Sequence, residues 1–184
     1  MKRRACIAFL SVWAAVSLEM AAQTPALWID VPFVAQTEEG CGSAAISMVM
    51  QYWAKQNGQT ASPAMDAGKI QELLYSPSQK GIPASAMERY FREAGYRTFP
   101  FRGEWADLQR HLSKGRPLIV SLKASGRSGP LHYAVVVGLD AERGFVFLND
   151  PAMGKMLRIS REGFEAEWVP AKSWTLLAVP AADR

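Results

Sequence analysis

Apolar residues recur along this chain with two different periods, and the change from one to the other separates an early helical part from a late sheet. From Gly42 to about Lys55, Ala45, Val49 and Trp53 fall at i, i+4 and i+8 beside Ile46 and Met50. That spacing predicts a helix buried along one side and stopped at Asn57-Gly58. Further helices are expected over Ala64 to Tyr75, over Ser85 to Ala94 and over Glu104 to Lys114. Ser85 and Glu88 have the spacing of a capping box, and Gly95 and Gly115 sit where helices stop. Leu27 to Val31, Tyr96 to Phe101, Pro117 to Leu122, Leu131 to Leu139, Gly144 to Asn149, Met156 to Ile159 and Ser173 to Val179 read as strands, with a helical turn over Arg161 to Trp168. Asp140-Ala141-Glu142-Arg143 closes the clearest hairpin, and Ala124 to Pro130 is a polar, glycine-rich loop. Helices first and strands afterwards predict an α+β fold, not alternating βαβ units.

The first residues follow a different logic. Met1-Lys2-Arg3-Arg4, the apolar stretch Ala5 to Leu18 and Met20-Ala21-Ala22-Gln23 match the three regions of a secretory signal peptide, with cleavage expected near Ala22. The stretch is shorter than an ordinary spanning helix, so no stable membrane insertion is expected after cleavage, the alternative being an uncleaved anchor. The expected address is periplasmic or extracellular. Residues 23–184 then form one domain, long enough to bury a core without disulfides and expected to be a monomer. Cleavage removes Lys2, Arg3, Arg4 and Glu19, which takes Lys+Arg from 21 to 18, Asp+Glu from 17 to 16 and the net charge to +2. The basicity therefore belongs largely to the leader and makes no case for nucleic acid.

Cys6 leaves with the leader, which isolates Cys41 in Gly40-Cys41-Gly42-Ser43 at the start of the first long helix. An unpaired cysteine in an exported chain is a candidate reactive thiol. A helix N-terminus favours the thiolate, and so does a nearby imidazolium. Of the two histidines, His111 lies in a polar helix and reads as a surface residue. His132 opens a strand beside a loop, where it can face a cleft. With the hairpin turn centred on Glu142, Ala134 faces Asp150, and His132 becomes the diagonal neighbour of Asp150 on the same face. That carboxylate can hold the imidazole tautomer and its charge. A slip of one residue substitutes Asn149, and Asn149-Asp150-Pro151 also reads as a plain turn. Gln36, five residues before Cys41, can donate with the Cys41 backbone N–H to an oxyanion, or be an ordinary loop residue. Glu38-Glu39 reads as a solvated loop face.

Val31-Pro32-Phe33-Val34-Ala35-Gln36, Gly40-Cys41-Gly42-Ser43-Ala44-Ala45, Leu131 to Gly138 and Leu148-Asn149-Asp150-Pro151 together resemble the C39-like peptidases, relatives of the papain-like cysteine proteases. The resemblance spans roughly Trp28 to Pro180. It implies a papain-like fold with an N-terminal helical part and a C-terminal antiparallel sheet. It further implies Cys41 as nucleophile, His132 as general base and acid, Asp150 as orienting group and Gln36 as oxyanion donor. A peptide or protein substrate and no cofactor follow. The best-known members are fused to an export transporter and remove double-glycine leaders. This chain shows no transporter segments and a leader of its own, so a general peptide substrate is expected. Competing readings are an acyl or peptidyl transferase with the same triad, a non-catalytic peptide-binding module, and a zinc site on Cys41, His132 and Asp150, which lacks common zinc spacings.

Overall fold

The computed structural model describes residues 26–123 and 131–181. The expected leader and the loop Ala124 to Pro130 lie outside the described residues. The first long helix, α1 (Cys41–Gln56), begins directly on Cys41. Every residue from Gly42 to Met50 is buried, so the expected one-sided stripe is instead a helix covered nearly all round. One side lies on the sheet, against Tyr133, Val135 and Val137, and the other meets Ile70, Ile82 and Met87 of the neighbouring helical layer. Small residues make this enclosure possible. A Cβ added at Gly42 would lie 2.9 Å from the Cβ of Ile82. Burying Ile46, Met48, Val49 and Met50 stabilises the fold by about 1.5 to 3 kcal/mol each.

The expected second helix is split. A short 3-10 turn covers Pro63–Met65, and α2 (Ala67–Leu74) starts afresh after Asp66, whose carboxylate accepts the Lys69 N–H at 2.9 Å. The third helix, α3 (Ala84–Glu93), starts behind Pro83, so Ser85 lies inside it and the expected Ser85/Glu88 capping box does not form. Glu88 instead pairs with Arg92. A capping box does form on α4 (Trp105–Leu112), between Glu104 and Asp107. The last helix, α5, covers Arg161–Trp168, as the sequence predicts.

The strands are β1 (Leu27–Trp28), β2 (Tyr96–Arg102), β3 (Leu118–Leu122), β4 (His132–Asp140), β5 (Phe145–Asp150), β6 (Gly154–Ser160) and β7 (Trp174–Pro180). They pair in the order β2-β7-β3-β4-β5-β6, every pair antiparallel, with β1 on β4 at Leu139 and Gly138, beyond the end of β3. The strand expected over Leu27 to Val31 ends early, because the Val31 N–H turns back to the Ile29 carbonyl at 3.0 Å and leaves the ladder. Helices α1 to α3 cover one face of the sheet through Ile119, Val135 and Leu176. The other face carries α4 and α5 on Val120, Ala134, Val136 and Leu148. This mixture of helices with one antiparallel sheet is the expected α+β class. Among the described residues no helix is long and apolar enough to cross a membrane.

The β4–β5 hairpin sets the position of everything that follows. Near the turn Asp140 faces Phe145 and Leu139 faces Val146, but a bulge between Val136 and Gly138 shifts the pairing so that Val136 faces Leu148 and Val135 faces Asn149. One step further, Asp150 faces Ala134. The bulge also keeps Leu139, Val136 and Ala134 on one face, opposite Val146 and Leu148. Gly138 permits the close approach of β1, since an added Cβ would lie 2.9 Å from the Leu27 carbonyl oxygen and 3.1 Å from the Phe147 ring. Gly138→Ala is expected to lower unfolding stability by about 1 to 3 kcal/mol, measured as a reduced urea midpoint at unchanged slope.

Candidate active site

Cys41 is a free, half-buried cysteine at the first position of α1. The helix is preceded by Gly40, and no side chain caps its N-terminus, so the first-turn N–H groups keep their unshared positive character beside the thiol. The approach to Cys41 is fixed by a turn in which the Gly40 N–H donates to the Thr37 carbonyl at 3.0 Å. Glu39 adopts a left-handed φ of 53°. Its carboxylate accepts the Tyr75 hydroxyl and its carbonyl accepts Gln71 Nε2 at 3.4 Å, so Glu39 is clasped by α2 instead of standing as a solvated loop face.

His132 begins β4 and Asp150 ends β5, and His132 Nε2 lies 2.8 Å from Asp150 Oδ1. Cys41 lies close enough to the imidazole to favour its charged form. Burial works against a charged ring, yet the hydrogen bond to Asp150, the nearby Cys41 and the charges behind them outweigh it, pushing the imidazole up to about 10. Asp150 takes part in its own turn as well, its Oδ1 accepting the N–H groups of Ala152 at 2.8 Å and Met153 at 3.1 Å. Burial would raise this carboxyl, but His132 and the two N–H groups hold it below its ordinary value. The strand-ending turn read from Asn149-Asp150-Pro151 is thus real and serves to aim the carboxylate.

Asn149 is fully buried, its Nδ2 donating to the Val31 carbonyl and its Oδ1 accepting the Met156 N–H, both at 3.1 Å. With both ends of its amide engaged, it cannot take the orienting place that a register slip would give it. The Gln36 backbone N–H donates to the Pro151 carbonyl at 3.0 Å, which ties the loop before Cys41 to the Asp150 turn. Its side-chain Oε1 is buried without a partner, and no hydrogen bond engages its Nε2 among the described residues. His111 stays outside this group. It sits on α4 against the Phe101 ring at 5.8 Å, half-buried, and its pKa is pulled down by burial and then by Arg110 and Arg116. His132 bonds Asp150 and has Cys41 close by. Among the described residues no three His, Cys, Asp or Glu side chains gather as metal ligands.

Tyr133, which the sequence did not single out, is buried beside this group. Burial first, then the charges at Cys41 and Glu88, push its phenol up to about 12. Its place next to His132 was the available signal.

A thiol, an imidazole and a carboxylate brought together, with the thiol at a buried helix N-terminus and the other two on adjacent antiparallel strands, define the papain-like class of cysteine peptidase folds. The Peptidase_C39 like family model matches residues 28–175, and the chain belongs to that family. Among solved structures, the peptidase domain of Streptococcus ComA, a bifunctional ABC transporter of a quorum-sensing pathway, is similar at 24% identity and a TM-score of 0.63, over 83% of this chain and 100% of that one. A double glycine motif protease from an AMS/PCAT transporter, in complex with its leader peptide, matches at 22% identity and 0.64, over 84% and 94%. A protein described as a C39-like peptidase from Bacillus anthracis matches at 17% and 0.63, over 87% and 100%. No curated protein matches the chain.

The His132–Asp150 pair carries a pH signature. A ring raised from 6.5 to about 10 on folding adds stability that is fully present below pH 6.5 and lost as pH rises toward 10. Urea unfolding of the wild type should weaken across that window, and less so in Asp150→Asn, where the main hydrogen-bond support of the charged ring is reduced.

Proposed function

We propose that this chain is an exported cysteine peptidase in which Cys41, His132, Asp150 and Gln36 carry out the reaction. The observation that supports it best is His132 bonded to Asp150 at 2.8 Å with Cys41 close by at the uncapped start of α1. With the imidazole pushed up to about 10, the ring rests at neutral pH as an imidazolium, the partner that activates a neighbouring thiol.

The Cys41 sulfur attacks the carbonyl carbon of the scissile bond, and the electron pair of the C=O moves onto oxygen. That oxyanion is held by the Cys41 N–H, which no helical partner or cap uses, and by Gln36 Nε2. Collapse of the intermediate breaks the C–N bond while His132 gives its proton to the leaving nitrogen. A thioester and a neutral imidazole remain. His132 then takes a proton from water as the water oxygen attacks the thioester, and breaking the C–S bond releases the acid and restores the thiolate. Asp150 holds the ring in place through both halves. Gly40 and Gly42 keep side chains away from the line of attack.

The substrate is a peptide. A relative from a transporter has been seen with a leader peptide. Here the expected signal peptide places the mature protein in a periplasm or outside the cell, where peptides of other origin are available.

Cys41→Ala should abolish peptide cleavage, and Gln36→Ala should lower kcat by about 10²-fold or more with KM little changed, both measured by mass spectrometry of digests. Alkylation of wild-type Cys41 by iodoacetamide should stay fast well below about pH 7 and slow sharply in His132→Ala; equal rates in the two would sink the pairing. Hydroxylamine added to the digest should leave the products as free acids, whereas hydroxamate products in place of acids would indicate a transferase. Recovery of the protein from the exported fraction with its N-terminus near Gln23 tests the address.

A further inference from the structure

A cavity of about 490 Å³ opens beside His132, bounded by the residues on either side of it, Leu131 and Tyr133. Its floor is one rank of side chains across four strands. Arg102 of β2 faces Trp174 of β7, and Ser121 of β3 faces Tyr133 of β4. One step beyond the Val120–Thr175 pair, Ser121 also faces Trp174. The alternation of strands sends all four to the face that carries α1. The rings of Tyr133 and Trp174 meet edge to face at 5.6 Å across the small Ser121.

Two observations point to an occupant. Leu131, Tyr133 and Trp174, with Pro100, Phe101 and Pro170, give the cavity apolar walls. At the rim Arg102, Lys123 and Lys172 are exposed, no carboxylate lines the cavity, and none of the three cations meets an acidic partner among the described residues. Apolar walls with an unopposed positive rim are complementary to an apolar side chain followed by a negative charge.

We propose that this cavity selects the peptide substrate by taking a large apolar side chain over Tyr133 and Trp174 and a neighbouring carboxylate at Arg102, Lys123 and Lys172. The proposal rests on the peptidase reading for its placement beside the scissile bond. It makes the protein selective for acidic peptides in which a hydrophobic residue precedes Asp or Glu.

The test uses octapeptides in which a Leu-Glu, Leu-Gln, Leu-Lys or Gly-Gly step is walked through an Ala-Ser background. They are passed over immobilised mature protein carrying Cys41→Ala, and digested separately with the unmodified protein. Leu-Glu peptides should be retained about tenfold more strongly than Leu-Lys peptides, with a preference that shrinks as salt rises and disappears in the double variant Lys123→Glu, Lys172→Glu. Cleavage efficiency should follow the same order, and an unchanged Cys41 alkylation rate in the double variant shows that it is folded. Equal retention of the four sets, or a preference that the double substitution leaves intact, overturns the pocket. Patterned retention without cleavage supports the pocket and overturns the peptidase reading; cleavage without the pattern does the reverse.

Discussion

The register of the β4–β5 hairpin is the constraint on which the arrangement depends. A strand places successive side chains on opposite faces, so moving one partner by a single residue would turn Asp150 away from His132 and bring a residue of the wrong face in its place. The apolar pattern enforces the correct alignment, because Ala134, Val136, Val146 and Leu148 must all reach the layer under α4 and α5. The bulge near Val137 reconciles that demand with the geometry of the turn. Core packing on one face therefore aligns an imidazole and a carboxylate at the far end of the same hairpin.

The remaining parts are brought to that pair by backbone bonds instead of charges. Asn149 links the Val31 region to β6, and the Pro151 carbonyl holds the Gln36 backbone. The loop before Cys41 and the turn after Asp150 are thus fastened to each other. Glu39, held from α2, secures the last step before Cys41. Few of these contacts are salt-sensitive, which suits a group whose separations must hold to within a fraction of an ångström.

Much of this was legible in the sequence, and the parts that were not share a physical cause. The long helix, the hairpin and the sequence positions of Cys41, His132 and Asp150 follow from local periodicity and from chain order. The expected register agrees with the structure at Asp150 because two offsets cancel: the turn is centred slightly differently from the expectation, and the bulge removes the difference. Full enclosure of α1 could not be read, because Gly42, Ser43, Ala44 and Ser47 look neutral until the α2–α3 layer covers them. The Ser85 cap failed because Pro83 started the helix earlier, and the clasp on Glu39 failed to show because its partner Tyr75 lies 36 residues away. The rank of Arg102, Trp174, Ser121 and Tyr133 is drawn from four strands far apart in the chain, and no local pattern announces it.

The enclosure of α1 also divides the molecule by how freely it can change. Nine consecutive buried residues follow Cys41, so almost any substitution in that helix disturbs the core and with it the thiol. Arg102, Lys123 and Lys172 stand on strand ends and turns in contact with solvent. Variation there can redirect what is bound at little cost to folding. The same scaffold can accordingly vary the rim of this cavity while the surroundings of Cys41 stay fixed, with the adaptable positions on the sheet side and the intolerant ones on the helix side.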